Sequence, residues 1–148
     1  MRLSRDNAPT LTSAGPLVMV DDNPGDRDIA HRCFKRSTLP NEWLDFPGGV
    51  EFLDHLDRVR RQLSPMPALV LLDINMPAMT GFDVLEKVRE DEFFDELPKF
   101  CVLTSSADPR DRERATTLRA LGVFTKPYEI RDYVAFFDAM NDPGACTE

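Results

Sequence analysis

The sequence predicts an α/β fold: a doubly wound, five-stranded parallel sheet with five helices. Two observations carry this. Short apolar runs alternate strictly with longer segments of helical periodicity, and "ALVLLD" is apolar on both faces. Strict alternation implies a parallel sheet with right-handed crossovers and helices on both sides. A strand apolar on both faces belongs in the covered centre of such a sheet. The 148 residues suit one domain. A domain of that size buries about 68–70% of its unfolded surface, enough for a substantial core.

The elements follow in order. "PLVMV" (Pro16–Val20) is a short buried strand that ends at Asp21-Asp22. Asn23 is a good N-cap and Pro24 suits a first helical turn, so "NPGDRDIAHRCFKR" reads as a helix with Ile29, Ala30, Cys33 and Phe34 inward. "EWLDF" (Glu42–Phe46) is a weaker strand closed by Pro47-Gly48-Gly49. "VEFLDHLDRVRRQL" places Phe52, Leu53, Leu56, Val59 and Leu63 on one stripe. "ALVLLD" is the central strand and ends on Asp73. "FDVLEKVRE" turns Val84, Leu85 and Val88 inward, and "KFCVLT" (Lys99–Thr104) is a second central strand. Asp108 caps and Pro109 starts a charged helix, "GVFTK" is the last strand, and "YEIRDYVAFFDAM" packs Ile130, Tyr133, Val134, Phe137 and Met140. Residues 16–141 form the domain, with flexible tails expected over 1–15 and 142–148.

Composition narrows the function. Net charge is −8, which argues against nucleic acid, since phosphate binding needs a basic surface. No apolar run approaches the ~20 residues of a membrane helix, and the N-terminus lacks the apolar centre of a secretory signal. No membrane partner is expected. Cys33, Cys101 and Cys146 are scattered, without metal-ligand spacing, and read as reduced thiols in a cytoplasm. His31 and His55 stand alone and read as surface or half-buried residues. Trp43, Tyr133, Phe136 and Phe137 read as core or edge packing.

In a sheet of this type ligands bind at the carboxyl ends of the strands. Four of the five strands end on residues able to do chemistry: Asp21-Asp22, Asp73, Thr104-Ser105 and Lys126. Three carboxylates gathered in one cleft repel and raise one another's pKa values, and a divalent cation removes that penalty. Oxygen-only ligands suit Mg²⁺. An ionised Asp73 can then act as a nucleophile. Charge on a phosphoryl group there would be balanced by the cation, by Lys126 and by the Thr104 hydroxyl.

The stretches "LVMVDDNPGD", "LVLLDINMPAMTGFDVLEKVR", "VLTSSA" and "TKP" together resemble the receiver domains of two-component response regulators over Leu17 to Met140. The resemblance implies a flavodoxin-like strand order, 2-1-3-4-5. It implies Asp73 as phosphoacceptor, Asp22 as direct Mg²⁺ ligand, Asp21 as a ligand through water, and Asn75 as a backbone-carbonyl ligand. Thr104 resembles the hydroxyl that moves toward the phosphoryl group, and Lys126 the phosphate-pairing lysine. Asn75 and Ser106 occupy positions that tune phosphate lifetime, and the Lys126–Pro127 bond is expected to be cis. The wording is similar to that of small stand-alone receivers serving phytochrome-type or related histidine kinases. The implied partners are a sensor histidine kinase or phosphotransfer protein and a downstream protein target. The chain ends soon after its last helix, so output through protein–protein contacts is expected. The domain would be no enzyme in the usual sense, only promoting its own phosphorylation and later hydrolysis. The fourth helix, last strand and fifth helix, the family's usual pairing face, carry charges (Arg112, Arg114, Arg119, Asp132) that permit a homodimer.

Three departures from the family pattern stand out. Val123 replaces the aromatic usual three positions before the lysine, with Phe124 expected on the opposite face. "DFPGG" replaces a shorter turn, and extra residues lie in "SSADPRDRE". The missing aromatic keeps open an alternative, a binding module that signals without phosphate. An aspartyl-phosphate phosphatase of the haloacid dehalogenase type is the third reading, but Ile74-Asn75 after Asp73 lacks its second aspartate.

Overall fold

The most apolar runs occupy the middle of the sheet. The computed structural model describes residues 2–11, 13–105 and 108–141. Leu17–Val20 forms β1, Pro24–Arg36 α1, Trp43–Phe46 β2, Gly49–Arg60 α2 and Leu69–Asp73 β3. Gly81–Glu90 (α3), Phe100–Thr104 (β4), Pro109–Thr117 (α4), Gly122–Thr125 (β5) and Ile130–Met140 (α5) follow. All strands run parallel in the order β2-β1-β3-β4-β5, as predicted. Every residue of β1, β3 and β4 is buried, whereas β2 at one edge is half-buried. Ser106 and the segment 142–148, for which roles were expected, lie outside the described residues.

Successive strand residues face opposite sides, so each strand feeds two cores. Val18, Val20, Val70, Leu72, Val102 and Val123 pack with residues of α2, α3 and α4, among them Phe52, Leu56, Leu85 and Ala115. Leu17, Met19, Leu69, Leu71, Leu103 and Phe124 pack with α1 and α5 through Ala30, Cys33, Phe34, Phe136 and Phe137. Val123 and Phe124 therefore do face opposite ways. Trp43 extends the second core at its rim: it stacks on His31 (5.5 Å between ring centroids) and meets Phe137 edge-on. His55 leans on Phe46, so both histidines pack against aromatic rings.

The helix starts follow local chemistry. Asn23 Oδ1 accepts from the Asp26 N–H (3.1 Å), and Pro24 occupies the first turn of α1. Thr80 and Asp83 cap α3 reciprocally, and Asp108 caps α4. Gly49, within the unusual "DFPGG" turn, lets α2 approach α3: a Cβ there would lie 2.5 Å from Val84 Cγ2. Arg89 ties the far end of the sheet together. Its guanidinium donates to the carbonyls of Phe94, Leu118, Pro98 and Arg119 and lies over the Phe100 ring.

Several expectations need correction. Ile29, Leu63 and Ile130, predicted inward, are exposed. Leu63 follows Gln62, whose φ of 64° ends the helical path, so it leaves the α2 stripe. Ile29 sits at the margin of the α1 stripe, and Ile130 opens α5 beyond the strand it follows. The N-terminal segment is not a loose tail throughout. Leu3 is fully buried in the α1–α5 core, and its N–H donates to Thr125 O (2.9 Å). Arg2 forms a parallel bridge to Thr125, and its guanidinium covers the Tyr128 ring at 4.2 Å. Leu3 is apolar and the β5 edge needs a partner, which together outweigh the polar character of the segment. The Lys126–Pro127 bond is trans: the cis bond among the described residues is Leu97–Pro98. The intrinsic preference is only about 0.5–1 kcal/mol, so the local turn selects the isomer.

Candidate functional site

The carboxyl ends of β1, β3, β4 and β5 meet at one edge of the sheet. Asp21 follows β1 and is completely buried, its N–H donating to Phe46 O at the end of β2. Asp73 ends β3 at 4% exposure and Thr104 ends β4 at 2%. Asp22 is exposed. Carboxylate oxygens of Asp21, Asp22 and Asp73 lie within 4.8 Å of one another. Lys126 follows β5, its backbone N–H held by Thr104 O (3.0 Å). The predicted acids, hydroxyl and ammonium are thus gathered at one edge.

The loop after Asp73 folds back over it. The Asn75 N–H donates to Asp73 Oδ1 (3.3 Å), and the Gly81 N–H to Ile74 O (3.0 Å). Gly81 has a steric reason to lack a side chain, since a Cβ would fall 2.4 Å from Asp73 O. Asn75 itself is exposed beside the acids.

Electrostatics set the chemistry. Burial first, then the Asp21 charge, push the Asp73 carboxyl up to about 7, with Asp22 adding to the rise; Lys126 and the Asn75 N–H oppose it. The predicted mutual repulsion is therefore present. This donor set fits a hard divalent cation. It is all oxygen, and burial together with the neighbouring acids raises one of its carboxyls to about 7, a penalty that a cation among them would offset. Lys126 behaves in the opposite sense. Burial pulls its ammonium down, but hydrogen bonds to Asp21 and Asp26 and the Asp73 charge outweigh this and hold it above its ordinary value.

The ammonium is not centred on Asp73. Lys126 Nζ lies 2.9 Å from Asp21 Oδ2 and 2.9 Å from Asp26 Oδ2, but 3.8 Å from Asp73 Oδ1. Asp26 had no role in the sequence reading. Its signal was its place in the third position of a helix opened by Asn23-Pro24, which turns it back toward the strand end. Arg27 was also missed. Its Nη1 donates to Asp21 O (2.6 Å), and its Nε pairs with Asp45 (3.4 Å).

The fold and this cluster define a class, and comparison with known proteins agrees. The model of the response regulator receiver domain matches residues 17–138. The chain belongs to that family. It is 26% identical to response regulator Rcp1 of Synechocystis over 78% of this chain and 79% of that protein. It is 32% identical to the sensor histidine kinase CheAY of Helicobacter pylori over 76% of this chain, a match spanning only 13% of that protein. The crystal structure of the Mn(2+)-bound form of Rcp1 superposes with a TM-score of 0.70, at 25% identity, covering 84% of this chain and 90% of that one. Response regulator RPA3017 in red light signaling of R. palustris gives a TM-score of 0.72, at 28% identity, covering 84% and 90%.

Proposed function

We propose that this receiver accepts a phosphoryl group on Asp73 from a sensor histidine kinase or phosphotransfer protein, in a Mg²⁺-dependent phosphorelay with output through protein–protein contacts. The observation that carries this is Asp73 itself: a buried carboxylate ending the central strand, beside two further acids and within 3.8 Å of an ammonium. A carboxylate so placed is costly unless its charge has a use.

Asp22, Asp73 and the Asn75 carbonyl would hold the cation, with Asp21 beside them; bound Mg²⁺ neutralises charge on the acids and on the incoming group. The chain's own residues do the rest. An Asp73 oxygen attacks phosphorus in line; the new O–P bond forms as the P–N bond to the donor imidazole breaks, its electron pair leaving on nitrogen. The Asn75 N–H orients the Asp73 carboxylate. Lys126 offers its positive charge to the phosphoryl oxygens, and Thr104, at the end of the neighbouring strand, offers a hydroxyl. Such catalysis is positioning and charge balance, so the domain is a phosphoacceptor with weak self-catalysed transfer and hydrolysis. The match to RPA3017 supports a photoreceptor-type kinase as donor. Cytoplasmic placement goes with this reading: Cys33 and Cys101 are buried free thiols, and among the described residues no helix is long and apolar enough to cross a membrane.

Incubation with acetyl phosphate and Mg²⁺, followed by intact mass measurement, tests the reading. One phosphoryl group is expected on the wild type and none on Asp73→Asn. No gain on the wild type would favour the phosphate-independent binding module, a reading that Val123 in place of a switch aromatic keeps in play.

A further inference from the structure

We infer that Asp26 is a positioning residue for Lys126, a second anchor that aims the ammonium at Asp73. The inference rests on the proposed role of Asp73 and adds a residue to it. An ammonium has three N–H donors. Two are directed at Asp21 Oδ2 and Asp26 Oδ2, both at 2.9 Å, and Asp73 Oδ1 stands next at 3.8 Å. One contact sets the rotation about the Cε–Nζ bond; a second, from a different element, also holds the end of the flexible stem in place, so that the third donor stays toward Asp73.

Asp26 suits this task better than Asp21. Asp21 is one of the three clustered acids, so its charge is shared with whatever that cluster holds. Asp26 lies outside the cluster, and its hold on Lys126 is independent of that sharing. Its own position is firm. Asn23 Oδ1 binds its backbone N–H, and Pro24 fixes the turn before it. The Asp26–Lys126 pair lines a crevice of about 130 Å³ together with Ile29, Pro127, Tyr128, Glu129, Ile130 and Tyr133. The Asp26 side chain keeps 39% exposure, so solvent screens the pair in part and its work is to position the ammonium more than to add stability. Lys126 retains only 22% side-chain exposure.

The test compares wild type with Asp26→Ala, Asp26→Asn and Asp26→Glu. The first readout needs no phosphorylation: the side-chain ¹⁵Nζ–H signal of Lys126, observed in metal-free protein. A hydrogen-bonded ammonium protected from exchange gives a resolved signal. It should be present in wild type and Asp26→Glu and lost by exchange broadening in Asp26→Ala. The second readout is the rate of acetyl phosphate labelling and the affinity for beryllofluoride with Mg²⁺. Removing one charge-assisted anchor is expected to lower both by about tenfold in Asp26→Ala. Asp26→Asn should fall between, and Asp26→Glu should recover most of the loss. A merely structural role would not give rescue by glutamate with an unchanged melting temperature. An Asp26→Ala protein that keeps the Lys126 signal, or that is labelled as fast as wild type or faster, would overturn the inference. If wild type itself takes no phosphoryl group, the proposed function fails, while the Lys126 signal still decides whether Asp26 anchors the lysine.

Discussion

Replacing Asp73 by asparagine should stabilise the metal-free protein, and only above mildly acidic pH. Burial and the neighbouring acids raise the Asp73 carboxyl from 3.8 to about 7. The folded state therefore holds its proton more tightly than the unfolded chain. Between those two values the native state binds more protons, so stability falls as pH rises through the window. The rise corresponds to about 4 kcal/mol at 1.36 kcal/mol per pH unit, fully felt near pH 8 and nearly absent at pH 4. In a domain this size that is roughly 8–16 °C in melting temperature. His55 acts in the opposite sense. Burial, helped by Arg58, lowers its pKa, so its ionisation costs stability below its unfolded value of 6.5. Both proteins share that contribution, and it cancels in the difference. The assay is thermal unfolding by circular dichroism in EDTA, from pH 4.5 to 8, for wild type and Asp73→Asn. The two melting temperatures should converge at the acid end and separate steadily toward pH 8, with the variant higher. Adding Mg²⁺ at a hundred times its dissociation constant should return about 2.7 kcal/mol to the wild type at pH 8. Parallel curves across the whole range would refute the argument that Asp73 is charged at a cost to the fold.

Three other substitutions probe the frame around the site. Leu3→Ala should lower stability by about 2 kcal/mol in urea unfolding, since it empties a fully buried position; an unchanged midpoint would show that the segment does not hold to the β5 edge. Gly81→Ala forces a Cβ to 2.4 Å from Asp73 O and should cost about 1–3 kcal/mol. It should also slow phosphoryl uptake, because the loop carrying the Asn75 N–H must shift. Gln62→Gly relieves a left-handed residue (φ 64°) at the end of α2 and should raise stability by about 1 kcal/mol without touching phosphorylation; a drop would mean that the Gln62 side chain makes a contact of its own.

Much of this molecule is local in origin. Strands β1, β3 and β4 are apolar on both faces, and such segments have few places to go but the centre of a covered sheet. The Asn23-Pro24 and Asp108 starts are matters of the residue and its nearest backbone donors, and they fall where composition places them. The acids at the ends of β1 and β3 were legible for the same reason. A carboxylate closing an apolar run, with parallel strands imposing a common direction, has to stand at the shared edge.

Distances across that edge depend on several elements at once, and no single stretch specifies them. Lys126 lies nearer Asp21 and Asp26 than Asp73 because α1 delivers Asp26 from one side while β5 delivers the lysine from the other. Leu3 could be read as tail because its neighbours are polar; only the open edge of β5 and the gap beside α5 give it a burial site. Ile29, Leu63 and Ile130 share the apolar character of their buried neighbours, yet they lie at the margin of the α1 stripe, past the end of α2 and at the opening of α5, where the core does not reach. Periodicity and capping act within a few residues and are written into the chain. Which side chain meets which, and at what charge, is set by packing between segments far apart in sequence, and only the folded molecule decides it.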